Sequence, residues 1–187
     1  MNNQIVIGSL SAIAAKNNIS LAESFMSADL ILVLDCSGSM YAQDAPGNKT
    51  RWQVATEHLE RLQKENQGKI ALICFADYTI FSPAGFPIDC GGSTNLSSAL
   101  NYILPADDTG IKILIVSDGS PNSPEECLRI AKQFKTSIST LYCGPETDHE
   151  RGRKFLEELA RCTGGKSVKS DSPGELFSQE ETYLLNG

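Results

Sequence analysis

The stretch "ADLILVLDCSGSMYAQD", residues 28–44, decides the fold. Five apolar residues, Leu30 to Leu34, run straight into Asp35, and Ser37 and Ser39 follow at alternate positions around Gly38. An apolar run without polar interruption reads as a strand buried on both faces, the pattern of a parallel sheet covered by helices. Extended backbone alternates its side chains, so Asp35, Ser37 and Ser39 are expected on one side and Cys36 on the other.

Working outward, strands and amphipathic helices alternate. "RWQVATEHLERLQKEN" carries Trp52, Ala55, Leu59 and Leu62 on one helical face. "KIALICFA" is a second buried strand, and "TIF", Thr79 to Phe81, is a short edge-strand candidate. A loop bearing Pro and Gly then reaches "GGSTNLSSALNYIL", where Leu96, Ala99, Leu100, Ile103 and Leu104 have helical spacing. "IKILIVSD" is another buried strand ending in an acid, Asp118. "SPEECLRIAKQF" opens with Ser123, Pro124 and Glu126 in the order of a capped helix start. "SISTLYC" reads as a strand, "ERGRKFLEELARC" as a helix closed by "TGG", "KSVKS" as a short strand and "PGELFSQEETYLL" as a last helix. Before residue 28, Ser20 and Glu23 form a capping-box pattern, so a short helix over "LAESFMSA" is expected.

This order predicts an α/β fold: a doubly wound, Rossmann-like, mostly parallel sheet with helices on both faces. The 187 residues suit one domain, read as residues 28–187 preceded by an extension over 1–27. Ligands of doubly wound sheets sit at the carboxyl ends of strands, where the strand order reverses. If the strands before Asp35 and Asp118 are neighbours there, their carboxylates converge, and the loop carrying Thr94 can reach the same place. Two carboxylates and three hydroxyls make an all-oxygen pocket suited to a hard cation such as Mg²⁺. Two acids balance the ion's charge and the hydroxyls add none, so the ion keeps affinity for an external anion.

"DCSGSM", Thr94 in "GGSTNLSSAL" and Asp118 in "VSDGS" together resemble the von Willebrand factor type A domain and its metal-ion-dependent adhesion site. Three separated pieces agree, which makes the match far more specific than a lone Asp-x-Ser-x-Ser. The resemblance implies that Asp35, Ser37, Ser39, Thr94 and Asp118 hold Mg²⁺ or Mn²⁺. It also implies a six-stranded sheet whose short third strand is antiparallel at an edge, a role that "TIF" fits. Ser93 is the alternative loop ligand; the family pattern, a Thr-Asn-Leu-like triplet at the helix start, favours Thr94. The implied function is a divalent-cation-dependent protein-interaction module that grips a Glu, Asp or terminal carboxylate of a partner protein. Small stand-alone bacterial members suggest an adaptor for an ATPase or a stress-related protein complex.

Other chemistries fit less well. A Cys-x5-Arg phosphatase loop built on Cys36 needs arginine at 42, where Ala42 stands. An aspartyl-phosphate phosphatase wants a second acid where Ser37 stands. "GGKS", Gly164 to Ser167, lacks the leading glycine of a phosphate loop, having Ala160, and runs from helix to strand. A metal-dependent phosphoester hydrolase using the same pocket is the competing function, and Asp77 is its one candidate base. The chain is therefore expected not to be an enzyme. His58 and His149, flanked by surface-type residues, read as structural or solvated.

Net charge is −7 and the pI about 4.8, with no basic stripe, which argues against a nucleic-acid partner. The longest basic cluster, "RGRK" from Arg151 to Lys154, reads as a solvated helix face. The six cysteines form no Cys-x-x-Cys pair; Cys74 and Cys143 lie in strand-like runs and Cys127 and Cys162 in helix-like runs, the placement of reduced core residues. "IVIGSLSAIAA" has the length of a signal-peptide core but only "MNNQ" before it, without positive charge. No apolar run is long enough to span a bilayer. The expected location is cytoplasmic.

Overall fold

The structure is a computed structural model and describes residues 5–45, 47–119, 121–145 and 150–169. Its elements run α1 (Leu10–Asn17), α2 (Leu21–Met26), β1 (Leu30–Asp35), α3 (Arg51–Glu65), β2 (Ile70–Phe75), β3 (Thr79–Phe81), α4 (Leu96–Ile103), β4 (Lys112–Ser117), α5 (Pro124–Ala131), β5 (Ile138–Tyr142), α6 (Glu150–Thr163) and β6 (Ser167–Lys169). The helix read over "PGELFSQEETYLL" lies outside the described residues.

The six strands form one sheet in the order β3-β2-β1-β4-β5-β6. All pairings are parallel except β2 with β3, where Cys74 faces Ile80 across an antiparallel edge. The chain is thus α/β with a Rossmann-like, mixed sheet flanked by helices, as the alternation of elements predicts. The strand order reverses between β1 and β4, which pair Leu30 with Lys112 through Leu34 with Val116. That point is where the two acid-ended strands lie side by side.

Strand alternation splits the core in two. Ile31, Val33, Ile73, Phe75, Ile113 and Ile115 face the helices α4, α5 and α6. Leu30, Leu32, Leu34, Leu72 and Cys74 face α3 through Ala55, Leu59 and Leu62. Each such leucine or isoleucine contributes roughly 1.5–3 kcal/mol by leaving water. Helix α3 starts cleanly because Thr50 and Gln53 cap each other's backbone amides reciprocally.

The residues before β1 pack onto this frame. Val6 N donates to Ala84 O at 3.0 Å, Ser11 N to Pro83 O at 2.9 Å and Gly68 N to Gly8 O at 2.7 Å. The capping box of Ser20 and Glu23 opens α2 as predicted. Phe25 of α2 meets Phe81 of β3 edge-on at 5.6 Å. Between α2 and α4 lies an apolar cavity of about 420 Å³ bordered by Phe25, Met26, Phe81 and Tyr102. Helix α1 was not foreseen: its first residues read only as part of the apolar run "IVIGSLSAIAA", yet Ser9 caps it and Asn18 ends it in the left-handed conformation. No helix among the described residues is long and apolar enough to cross a membrane.

The "GGSTNLSSALNYIL" helix begins at Leu96, the first residue of the predicted apolar spacing, with Asn95 as its cap accepting from Ser98 N. Ser123 stands at the N-cap of α5 but its side chain makes no capping bond, and Glu126 is drawn instead to Arg129 at 2.6 Å.

All six cysteines are free thiols, five of them buried. They are less scattered than they read. The parallel register sets Cys74 opposite Leu34, so Cys36 and Cys74 share a sheet face, packed in one cluster with Cys90. Alkylation under non-reducing denaturing conditions is expected to modify all six, read by intact mass. Two or more protected cysteines in protein kept anaerobic from lysis would contradict this.

Candidate metal centre

Asp35 closes β1 and is fully buried. Its Oδ1 accepts from Ser37 N at 2.9 Å and its Oδ2 from the Ser117 hydroxyl at 2.6 Å. Burial pushes the Asp35 carboxyl up to about 6, with nearby Asp118 acting in the same direction against the bonds from Ser117 and Ser37. A carboxylate this deep is expensive to ionise unless a cation compensates it.

Ser37 is buried and Ser39 exposed, yet their hydroxyl oxygens lie 3.1 Å apart. Alternation along a strand is not what brings them together. The strand ends at Asp35, and Gly38–Tyr41 turns as a 3₁₀ helix after an extended Ser37. The turn is fastened by Gly38 N donating to Gly92 O at 3.1 Å, which ties it to the loop before α4.

That loop carries Thr94, which is buried. Thr94 N donates to Asn122 Oδ1 at 3.3 Å and Thr94 O accepts from Asn122 N at 2.9 Å, joining it to the segment after β4. The Ser93 backbone is engaged elsewhere: its amide donates to Asp77 Oδ1 at 3.0 Å, and the other Asp77 oxygen accepts from Gly92 N at 3.1 Å. Asp77 therefore holds the loop, and Ser93 and Gly92 keep its carboxyl below the ordinary carboxylate range.

Asp118 follows β4 directly and is buried. Arg51 Nη1 donates to its Oδ2 at 2.7 Å. Among the described residues its buried Oδ1 has no hydrogen-bond partner. Gly119 makes this placement possible: at φ +81°, an added Cβ would run into the backbone of Gly152 at the start of α6.

Asp35, Ser37, Ser39, Thr94 and Asp118 thus come from three loops fastened to one another at the strand-order reversal. The set fits a hard cation on two counts: every donor is oxygen, and an orphaned buried carboxylate oxygen stands in it. Among the described residues no group of three or more His, Cys, Asp and Glu side chains is placed to hold a metal, because only two acids are present here and hydroxyls make up the rest.

Two contributors were not singled out from the sequence. Ser117, which ends β4 after the apolar run Ile113–Val116, orients Asp35 and also accepts from Gly119 N at 2.9 Å. A polar residue interrupting an apolar strand beside Asp118 was the available signal. Arg51 carried none, since its partner Asp118 is 67 residues away. The surroundings differ as well. Met40 is fully buried with its sulfur 3.6 Å from that of Cys143. Tyr41 is exposed and stacks on Trp52 at 5.5 Å, and Asn122 is exposed. Of the two readings of His58, structural or solvated, the structural one holds: it is buried in α3, where burial lowers its pKa to about 4. Ser120 and His149 lie outside the described residues.

No family model matches the chain, and no curated protein sequence does. Solved structures are similar in fold. The PilB minor pilin from Streptococcus sanguinis has a TM-score of 0.55 at 12% identity over 80% of this chain and 58% of its own. Proximal thread matrix protein 1 from the mussel byssus has a TM-score of 0.53 at 18% identity over 94% of this chain and 51% of its own. Manganese-loaded TRAP protein from Plasmodium vivax reaches only 0.48 at 17% identity, over 78% of this chain and 69% of its own, too loose to carry an argument. The chain spans between about half and three fifths of the pilin and byssus structures, and at these identities the likeness extends to the fold alone.

Proposed function

We propose that the chain is a von Willebrand factor type A domain and that Asp35, Ser37, Ser39, Thr94 and Asp118 form its metal-ion-dependent adhesion site. The observation that carries this reading is the buried, unpartnered Oδ1 of Asp118 beside a buried Asp35 at the β1/β4 reversal. Mg²⁺ or Mn²⁺ bound there supplies an electrophile with room for one more anionic ligand. The chain's own residues do the rest. Asp35 and Asp118 balance the charge, Ser37, Ser39 and Thr94 supply neutral oxygens, and Ser117 fixes the Asp35 carboxylate.

The ligand from outside is then a Glu or Asp side chain, or a terminal carboxylate, of a protein partner. Exposed Tyr41 and Asn122 border the site and supply specificity beyond the single charged contact. The commitment of Asp77 to Gly92 and Ser93 favours a binding module over a hydrolase, because the one candidate base is already engaged. The same reading places the protein in the cytoplasm as an adaptor for an ATPase or a stress-related complex; its buried free thiols fit a reducing compartment.

Calorimetry tests the site. Mg²⁺ or Mn²⁺ at ten times its dissociation constant is expected to stabilise the fold by about 1.4 kcal/mol, an effect that Asp118→Ala abolishes. In a pull-down, the protein partner is expected to bind with Mg²⁺ and to elute with chelator. A wild-type protein that binds no divalent cation would end this reading.

A further inference from the structure

We propose that Arg51, clamped by Asp44, is a positioning residue that holds the Asp118 carboxylate so that Oδ1 is presented to the cation; this rests on the reading above. Arg51 bridges two acids. Its Nε and Nη2 donate to Asp44 Oδ1 and Oδ2 at 2.8 and 2.6 Å, and its Nη1 donates to Asp118 Oδ2 at 2.7 Å. The Arg51 side chain is only 13% exposed, against 37% for Asp44 and 2% for Asp118. Two-pronged pairing of this kind fixes a planar guanidinium in one orientation.

The backbone fixes it from the other end. Arg51 is the first residue of α3, directly after the Thr50 cap, and its amide donates to Ala42 O at 3.2 Å. The loop leaving Ser37 and Ser39 is therefore pinned to the same residue that holds Asp118. One side chain couples two of the three loops that supply the oxygens.

A guanidinium beside a cation site has two opposed effects. Its charge repels the ion; its hydrogen bond aims the ligand. The charge tally decides between them. Asp35 and Asp118 alone carry −2, and adding Arg51 and Asp44 as a pair leaves the total at −2. With the repulsion offset by Asp44, the geometric effect wins. Hydrogen-bond partners of metal-ligating carboxylates typically account for about 10- to 100-fold in affinity.

Mn²⁺ titration of the full chain, followed by electron paramagnetic resonance of free and bound ion, tests this. Arg51→Gln is expected to weaken Mn²⁺ binding about tenfold and to alter the spectrum of the bound ion, with far-UV circular dichroism unchanged. Arg51→Lys keeps the charge but cannot bridge both acids, so it is expected to bind weakly too. Asp44→Ala is expected to weaken binding and Asp44→Glu to restore it, a pair that serves even if the Arg51 variants fail to fold. Wild-type affinity in Arg51→Lys, or equal or tighter binding in Arg51→Gln, would overturn the positioning role while leaving the site itself intact. Absence of Mn²⁺ binding in the wild type would remove both.

Discussion

Asp35→Asn is expected to stabilise the protein in chelator by about 2 kcal/mol at neutral pH, while removing its response to Mg²⁺. The carboxyl is held up to about 6 from an ordinary 3.8 by burial, so ionising it at pH 7 opposes folding by roughly 3 kcal/mol. An asparagine escapes that penalty but keeps only part of the network. It can still accept from Ser37 N, but its amide cannot accept from Ser117 as Oδ2 does at 2.6 Å. Hence the gain falls short of the full penalty. The pH dependence has a definite sign. A raised folded pKa means that the contribution of Asp35 is fully present below about 3.8 and is lost as pH rises through about 6. His58, lowered to about 4, acts oppositely: its contribution is present above about 6.5 and is lost as pH falls through 4. Wild type and variant share His58, so their difference isolates Asp35 and should shrink toward acid. Urea unfolding in chelator at pH 7.5 and 4.5 measures it. A variant less stable than wild type at pH 7.5 would show that the buried carboxylate is not strained.

Gly119→Ala is expected to destabilise the protein by about 3 kcal/mol and to weaken divalent binding with it. Two effects add. At φ +81° an alanine adopts a backbone region that disfavours any Cβ, at about 1–2 kcal/mol. Its methyl also meets the Gly152 backbone, which cannot rotate away as a flexible side chain would. Overpacking of that kind costs about 1–3 kcal/mol. Gly110→Ala is the control: φ is +74°, but nothing lies within 4 Å of the added Cβ, so only the backbone term applies. Because Gly119 follows Asp118 directly, displacing α6 from β4 also displaces the acid. Denaturation midpoints of the two variants, with Mn²⁺ titration of each, provide the comparison. Equal effects at the two positions would show that the close approach to Gly152 plays no part.

Much of this architecture was legible locally. Apolar runs of strand length separated by amphipathic helices specify a covered parallel sheet, because no other arrangement buries both faces of each strand. "TIF" was readable as an edge strand because it is short, and among the described residues Thr79–Phe81 pairs only with β2. Asp35 and Asp118 were readable because each ends or directly follows an apolar strand, while Ser37, Ser39 and Thr94 were readable through the resemblance of their motifs. What failed locally was detail set by competition. Glu126 abandons the capping box for Arg129, and Ser37 and Ser39 meet through a 3₁₀ turn rather than along an extended strand.

By itself, then, the sequence determined which strands form and are buried, the helices between them, and which acids stand at their ends. Tertiary structure alone decided which loops touch. Ser117 reaches Asp35 across 82 residues of chain, Arg51 reaches Asp118 across 67, and Thr94 is tied to Asn122 across 28. Such contacts leave no periodic trace, because they depend on strand order and register rather than on neighbours in the chain. The unpartnered oxygen of Asp118 and the raised carboxyl of Asp35 belong to the same class. Both arise from burial, which each residue acquires only when β1 and β4 lie side by side.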